Sequence, residues 1–212
     1  MLKKYRKTMI ITTILLLLPL IAALILWNRL PDTVVTHWNS NWEPDGWSSK
    51  PVAALGLPAF MLALHWLCPM IASIDPKKQN LFENKAFVIV LWILPVLSLV
   101  CNGATLCYAL GYSLNIEKLI PVLLGVLFIV IGNFLPKCRP SYTMGIRLPW
   151  TLADEENWRR THRLAGPLWV VGGAVMMLNA LVESVFPLFF SIVLMVGVPV
   201  LYSCLLYKKM HK

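Results

Sequence analysis

Charge is scarce in this chain: of 212 residues only 14% are Asp, Glu, Lys or Arg, while 58% are hydrophobic and the mean hydropathy is +0.69. Soluble domains run near ~25% charged, so a soluble globular protein is excluded. Six stretches carry no charge at all: residues 8–28, 51–74, 86–116, 119–136, 164–182 and 184–207, which are 21, 24, 31, 18, 19 and 24 residues long. A helix needs roughly 20 apolar residues to cross a hydrocarbon core of roughly 30 Å. The runs also lack the period-two alternation of a lipid-facing strand, which excludes a transmembrane barrel. The expected fold is all-α, a polytopic integral membrane protein with six transmembrane helices. Residues 1–116 form an N-terminal three-span region with an outer aromatic loop, and residues 117–212 a second three-span region with a short cytoplasmic amphipathic helix. Paired cysteines are missing too. Cys68, Cys101, Cys107 and Cys204 fall in spans and Cys138 beside one, so no disulfide framework is implied. There is no Cys-x-x-Cys or His-x-x-x-His, and no metal or other cofactor is expected.

What charge there is has a direction. Lys3, Lys4, Arg6 and Lys7 precede the first apolar run, which ends without a small-x-small cleavage site and reads as an uncleaved signal anchor. With six spans, the side holding both termini and the second and fourth loops carries 16 of the 19 basic residues, and the other side carries Arg29, Lys50 and Lys118. Short loops rich in Lys and Arg stay cytoplasmic, so both termini are expected inside. The basic balance then reflects insertion against an anionic leaflet, and nucleic-acid binding is not implied.

Ionisable Asp, Glu, Lys or Arg is absent from every span as drawn, which argues against an ion-coupled carrier. The polar exceptions are His65, Asn102, Asn133 and Asn179, whose ordinary use is interhelical hydrogen bonding. Prolines 19, 58, 69, 95 and 199 suggest kinks.

Two loops carry most of the information. The first, residues 29–50, faces outward and holds Trp38, Trp42 and Trp47, with Pro44-Asp45-Gly46 expected as its tight turn. The tryptophans suit either a headgroup anchor or ligand contact. His37, Asn39, Glu43 and Asp45 match no calcium or zinc spacing. In the fourth loop, residues 137–166, Thr151-Leu152-Ala153-Asp154 reads as a capping box. Glu155 and Glu156 then open a helix, Arg159, Arg160 and Arg163 close it, and Gly166-Pro167 is expected to stop it. At about 100° per residue these five charges share an arc of about 140°. The helix suits either the bilayer surface, with arginines on lipid phosphates, or a soluble partner.

The same loops carry a family resemblance. Leu30-Pro31, His37-Trp38-Asn39 and Pro44-Asp45-Gly46-Trp47 resemble the segment of an N-terminal membrane domain that accompanies the SdpI family, although Trp42 stands where Gly is usual. Gly132-Asn133, Leu135-Pro136, Gly145-Ile146-Arg147, Pro149-Trp150-Thr151-Leu152, Trp158 and Thr161-His162-Arg163 resemble the SdpI signature itself, with Ser141 and Leu148 departing from it. The resemblance implies an immunity protein in the cell membrane of a Gram-positive bacterium, protecting against a secreted membrane-active peptide toxin. It also implies a signalling role in which a small DNA-binding autorepressor is sequestered at the membrane. On that expectation the toxin-facing candidates are His37, Trp38, Asn39, Pro44, Asp45, Gly46 and Trp47. The cytoplasmic docking candidates are Arg147, Trp150, Trp158, Arg159, Arg160, His162 and Arg163. The alternative is a small transporter or channel, for which six helices give room but the uncharged spans give no mechanism. Catalysis is not expected, because His37 and His162 lie on opposite sides and neither has a nucleophile in a recognisable motif.

Overall fold

The computed structural model describes residues 2–83, 86–181 and 186–211. It contains α1 (Arg6–Ile25), strands β1 (Thr33–Trp38) and β2 (Pro44–Ser49), α2 (Leu57–Ile74), α3 (Lys78–Glu83), α4 (Ala86–Ala109), α5 (Ile116–Phe134), α6 (Pro149–Ala153), α7 (Glu155–Asn179), α8 (Phe186–Ile192) and α9 (Val198–Met210). Two single π-helical turns, Val52–Gly56 and Val193–Gly197, lead into α2 and join α8 to α9. The chain forms two compact units, residues 1–70 with 88–116, and residues 71–87 with 117–212.

Among the described residues, five helical segments are long and apolar enough to cross a membrane: Arg6–Ile25, Val52–Ile74, Ala86–Ala109, Ile116–Lys137 and Phe186–Met210. The expected total was six. The missing one lies in α7, where the charged residues 155–163 and the uncharged residues 164–179 form one continuous helix. Its uncharged part is shorter than expected, and Gly166, Gly172, Gly173 and Pro167 dilute its hydropathy. Residue 182, the expected end of this span, lies outside the described residues. Nor is the amphipathic helix a separate element, because α7 runs through Gly166-Pro167. A glycine stop requires a left-handed residue after the last turn, and the glycines with positive φ are Gly111 and Gly145, not Gly166.

In the first unit, small residues allow close packing. Ala23 of α1, Leu30, Ala54 and Leu106 of α4 form a buried cluster, flanked by Ala22, Trp27, Leu55, Ala109 and Leu110. Polar side chains inside the unit find each other. His65 Nε2 lies 2.9 Å from Thr12 Oγ1, and Asn102 Nδ2 donates to Ser98 Oγ at 2.9 Å. His65 and Asn102 thus serve as the hydrogen-bonding groups their apolar surroundings demand.

In the second unit, glycines bring α5 and α7 together. A Cβ on Gly132 would lie 2.8 Å from the Gly166 carbonyl oxygen, and one on Gly173 only 2.6 Å from that of Gly125. Gly125 and Gly132 are seven residues apart, as are Gly166 and Gly173, so each pair repeats on one helix face and the antiparallel backbones touch twice. Without a hydrophobic driving force between helices in lipid, such backbone approach is what packing depends on. Further along, Gly172 admits Met195. Pro199 has no N–H to offer the carbonyl of Met195 four residues earlier. The Trp169 indole donates to that carbonyl instead, at 2.8 Å.

Candidate functional site

The first loop is a β-hairpin, which an all-α expectation did not include. β1 and β2 are antiparallel, pairing Thr33 with Ser49, Val34 with Ser48, Val35 with Trp47, His37 with Gly46 and Trp38 with Pro44. The pairing skips Thr36 on one strand and Asp45 on the other, two irregularities that twist the ribbon. The turn is not Pro44-Asp45-Gly46, which begins β2. It lies at residues 39–43, where the Asn39 side-chain oxygen accepts from the Asn41 and Glu43 amides at 2.9 and 3.0 Å. Trp42 donates back to the Asn39 carbonyl at 3.0 Å and has φ +62°. A bulky residue there is strained, whereas glycine would adopt this conformation at no steric cost. Asn competes strongly for backbone donors, and here it outweighs the Pro-Asp-Gly signal.

The hairpin sets its side chains apart. Val34 and Val35 are buried, Trp38 meets the Tyr108 ring edge-on at 5.9 Å, and Trp47 is 59% exposed. His37 Nδ1 and Asp45 Oδ1 are 2.5 Å apart on the exposed face. Gly46 lies across from His37, where a Cβ would come within 2.8 Å of the histidine Cβ. Seven candidates of the outer loop therefore lie on one hairpin, with Asn39 forming the turn, Pro44 and Gly46 shaping β2, and His37, Asp45 and Trp47 exposed.

The fourth loop is ordered by a residue the sequence reading did not single out. Asp75, at the end of α2, is 3% exposed. Its carboxylate accepts from the Lys77 amide (2.7 Å), the Tyr142 amide (2.9 Å) and the Thr143 hydroxyl (2.8 Å). Asn80 donates to the Pro140 carbonyl, and Arg139 pairs with Glu83 at 3.0 Å. The segment between α2 and α4 thereby clamps residues 139–143. An Asp just past a span was the available signal, but nothing nearby in sequence names its partners.

Beyond the clamp, Gly145 has φ +108° and lies against a stacked pair, Trp158 and His162, whose rings are 4.1 Å apart. A Cβ on Gly145 would come within 2.6 Å of His162 Nε2. His162 Nδ1 donates to the Trp158 carbonyl at 2.8 Å and Nε2 accepts from the Ile146 amide at 2.9 Å, which defines the neutral Nδ1–H tautomer. Burial lowers the His162 pKa to about 4, against the opposing hydrogen bond to the Trp158 carbonyl. Since the unfolded segment binds a proton near pH 6.5 and the folded one does not, stability is complete above that pH and falls as pH drops toward 4. The protection of the Ile146 amide against hydrogen exchange, corrected for intrinsic rate, is expected to fall across that window by up to about 3 kcal/mol. A flat profile would place His162 in solvent.

The helix start also differs from expectation. Asp154, not Thr151, caps α7, accepting from the Glu156 and Asn157 amides at 2.8 and 3.0 Å. Thr151 belongs to α6 and accepts from the Leu148 amide at 2.9 Å. Glu156 holds both Arg160 at 2.6 Å and Arg159 at 2.5 Å, while Glu155 reaches Lys77 at 3.6 Å. The guanidiniums beside Glu156 hold its carboxyl below the usual range, led by the Arg160 hydrogen bond. Trp158 and His162 are each 1% exposed, so a partner reaches them only by displacing residues 144–146. Trp150 is half-buried and donates to Ser203 at 2.9 Å. Arg147, Arg159, Arg160 and Arg163 are exposed.

Residues 137–203 match the SdpI/YfhL protein family, and residues 14–62 match a domain of unknown function (DUF1648). The chain is 29% identical over 211 residues to the Immunity protein SdpI of Bacillus subtilis (strain 168), covering 97% of this chain and 98% of that protein. No solved structure matches.

Proposed function

We propose that this membrane protein, which belongs to the SdpI family, confers immunity to a secreted, membrane-active peptide toxin, and that the hairpin Thr33–Ser49 is the surface that meets it. The observation that carries this reading is the hairpin itself. Outside the apolar helices it is a preorganised element, and it presents Trp47, His37 and Asp45 to solvent while Trp38 is braced on Tyr108. Rigid aromatic anchors flanked by polar groups are what peptide recognition favours. The proposal includes both termini in the cytoplasm, on the 16 to 3 division of basic residues. In this topology the exposed Arg147, Arg159 and Arg160 face the cytoplasm, available to a small DNA-binding repressor by charge.

Expression in a toxin-sensitive bacterium is expected to raise resistance. Trp47→Ala and Asp45→Asn should each lower it, because a contact worth about 1 to 2 kcal/mol is about tenfold in affinity. Both residues are exposed, so membrane levels measured by immunoblot should match the parent. Full protection by both variants at equal expression would reduce the hairpin to an anchor.

A further inference from the structure

The lipid-facing sides of α5 and α7 end in two cations at one depth. On α5 the exposed residues are Lys118, Val122, Val126, Val130 and Asn133, a stripe at helical spacing that starts at Lys118 and has exposed Lys137 beyond its inner end. On α7 they are Pro167, Val171, Ala174 and Leu178, and the same stripe continues back to exposed Arg163. At about 100° per residue, each stripe is centred about 110° from the glycine face of its own helix, in the direction of rising residue number. Because the two helices are antiparallel, equal rotations of that sense bring both stripes onto the same side of the pair. The depth follows from the glycine contact. Gly132 meets Gly166, so Lys137, at the end of the 3-10 turn Leu135–Lys137, lies five residues and Arg163 three residues to the charged side of it, about 5 Å apart along the membrane normal. Residues 164–179 add about 24 Å of uncharged helix, so Arg163 stands where the hydrocarbon core gives way to headgroups.

The acids around Arg163 have other partners. Glu156 holds Arg159 and Arg160, Glu155 holds Lys77 and Glu83 holds Arg139, while Arg163 has no acidic partner among the described residues. Lys137 lies over the Phe134 ring, its ammonium 4.8 Å from the centroid, which keeps it beside the helix surface. We propose that Arg163 and Lys137 form a binding site for the phosphate of an anionic phospholipid in the leaflet on the basic side of the protein. The acyl chains would lie along the two valine-bearing stripes, and the exposed Asn133 would stand at the level of the glycerol. This separates Arg163 from Arg159 and Arg160, and it holds whether or not the chain is an immunity protein.

The test uses the full chain in mixed vesicles of phosphatidylglycerol and phosphatidylcholine in equal amounts, followed by mild extraction and native mass spectrometry of the retained lipid. The parent is expected to retain phosphatidylglycerol at least about fivefold over phosphatidylcholine, as one cation near a phosphate supplies about that factor. The double variant Arg163→Gln with Lys137→Gln should lose the preference, and Arg163→Lys should keep most of it because the attraction depends on charge. Equal retention of the two lipids by the parent overturns the proposal without any variant, and so does an undiminished preference in the double Gln protein. Displacement of the retained lipid by inorganic phosphate at millimolar concentration would identify a soluble anion as the ligand and also overturn it.

Discussion

Gly173→Ala is expected to destabilise the second unit by about 1 to 3 kcal/mol or more, the range for overpacking a close contact. The added Cβ would lie 2.6 Å from the Gly125 carbonyl oxygen and 2.9 Å from both the Ile129 amide nitrogen and Ile129 Cγ1. Two of these are backbone atoms, which no rotamer change can move away. Helix propensity pulls the other way, since Ala in a helix interior is better than Gly by about 1 kcal/mol, so the sign of the measurement decides between the two effects. Gly103→Ala is the internal control: it also lies within a helix, but a Cβ there meets nothing within 4 Å. Thermal unfolding in detergent should show Gly103→Ala at or above the parent and Gly173→Ala several degrees below it. Matching midpoints for the two would mean that α5 and α7 do not cross in contact at this level. Gly132→Ala is the partner experiment, one heptad away, and should behave as Gly173→Ala does.

Asp75→Ala should be comparably severe but local. It strands two amides and a hydroxyl that now share one buried carboxylate. Hydrogen bonds to a charged acceptor contribute about 1.5 to 3 kcal/mol each, and the losses overlap because the three donors sit on one group, so about 3 to 5 kcal/mol is expected. Asp75→Asn keeps one oxygen and should fall between. The readout is cleavage by trypsin after Lys137 and Arg147, both exposed and on either side of the clamped segment. The parent should resist at protease concentrations where Asp75→Ala is cut, with helix content by circular dichroism unchanged. Equal resistance in parent and variant would show that Arg139–Glu83 and Asn80–Pro140 hold the segment unaided.

The two results would also separate two ways in which the sequence could be read. The helices of the apolar runs were legible because hydropathy is a local sum: each run has to satisfy its own backbone in lipid, whatever its neighbours are. Asp154 as a cap is also local, as are the pairs between Glu156 and the arginines, although the choice between Thr151 and Asp154 turned on the five-residue α6. The hairpin was hidden by its composition, since tryptophan, asparagine and proline suit a loop as readily as a strand. Its turn went to Asn39 because side-chain oxygen and backbone donors meet there, whereas Pro44 and Gly46 were recruited into pairing with Trp38 and His37.

Sequence by itself determined that this is a helical membrane protein whose charges lie between its apolar runs, since segment hydropathy needs no tertiary partner to act. It also held the signatures of two families, which the matches over residues 14–62 and 137–203 carry. Only the tertiary structure decided that α7 continues through Gly166-Pro167, that Trp158 and His162 are interior groups, and that Asp75 organises a segment 67 residues away. The physical reason is the same in each case. A glycine followed by a proline stops a helix unless a neighbouring helix packs against it, and an arginine-flanked histidine is a surface group unless a remote glycine lies over its ring. An aspartate after a span is solvated unless distant amides converge on it. Each outcome depends on a contact whose partner is far along the chain, and no local pattern contains it.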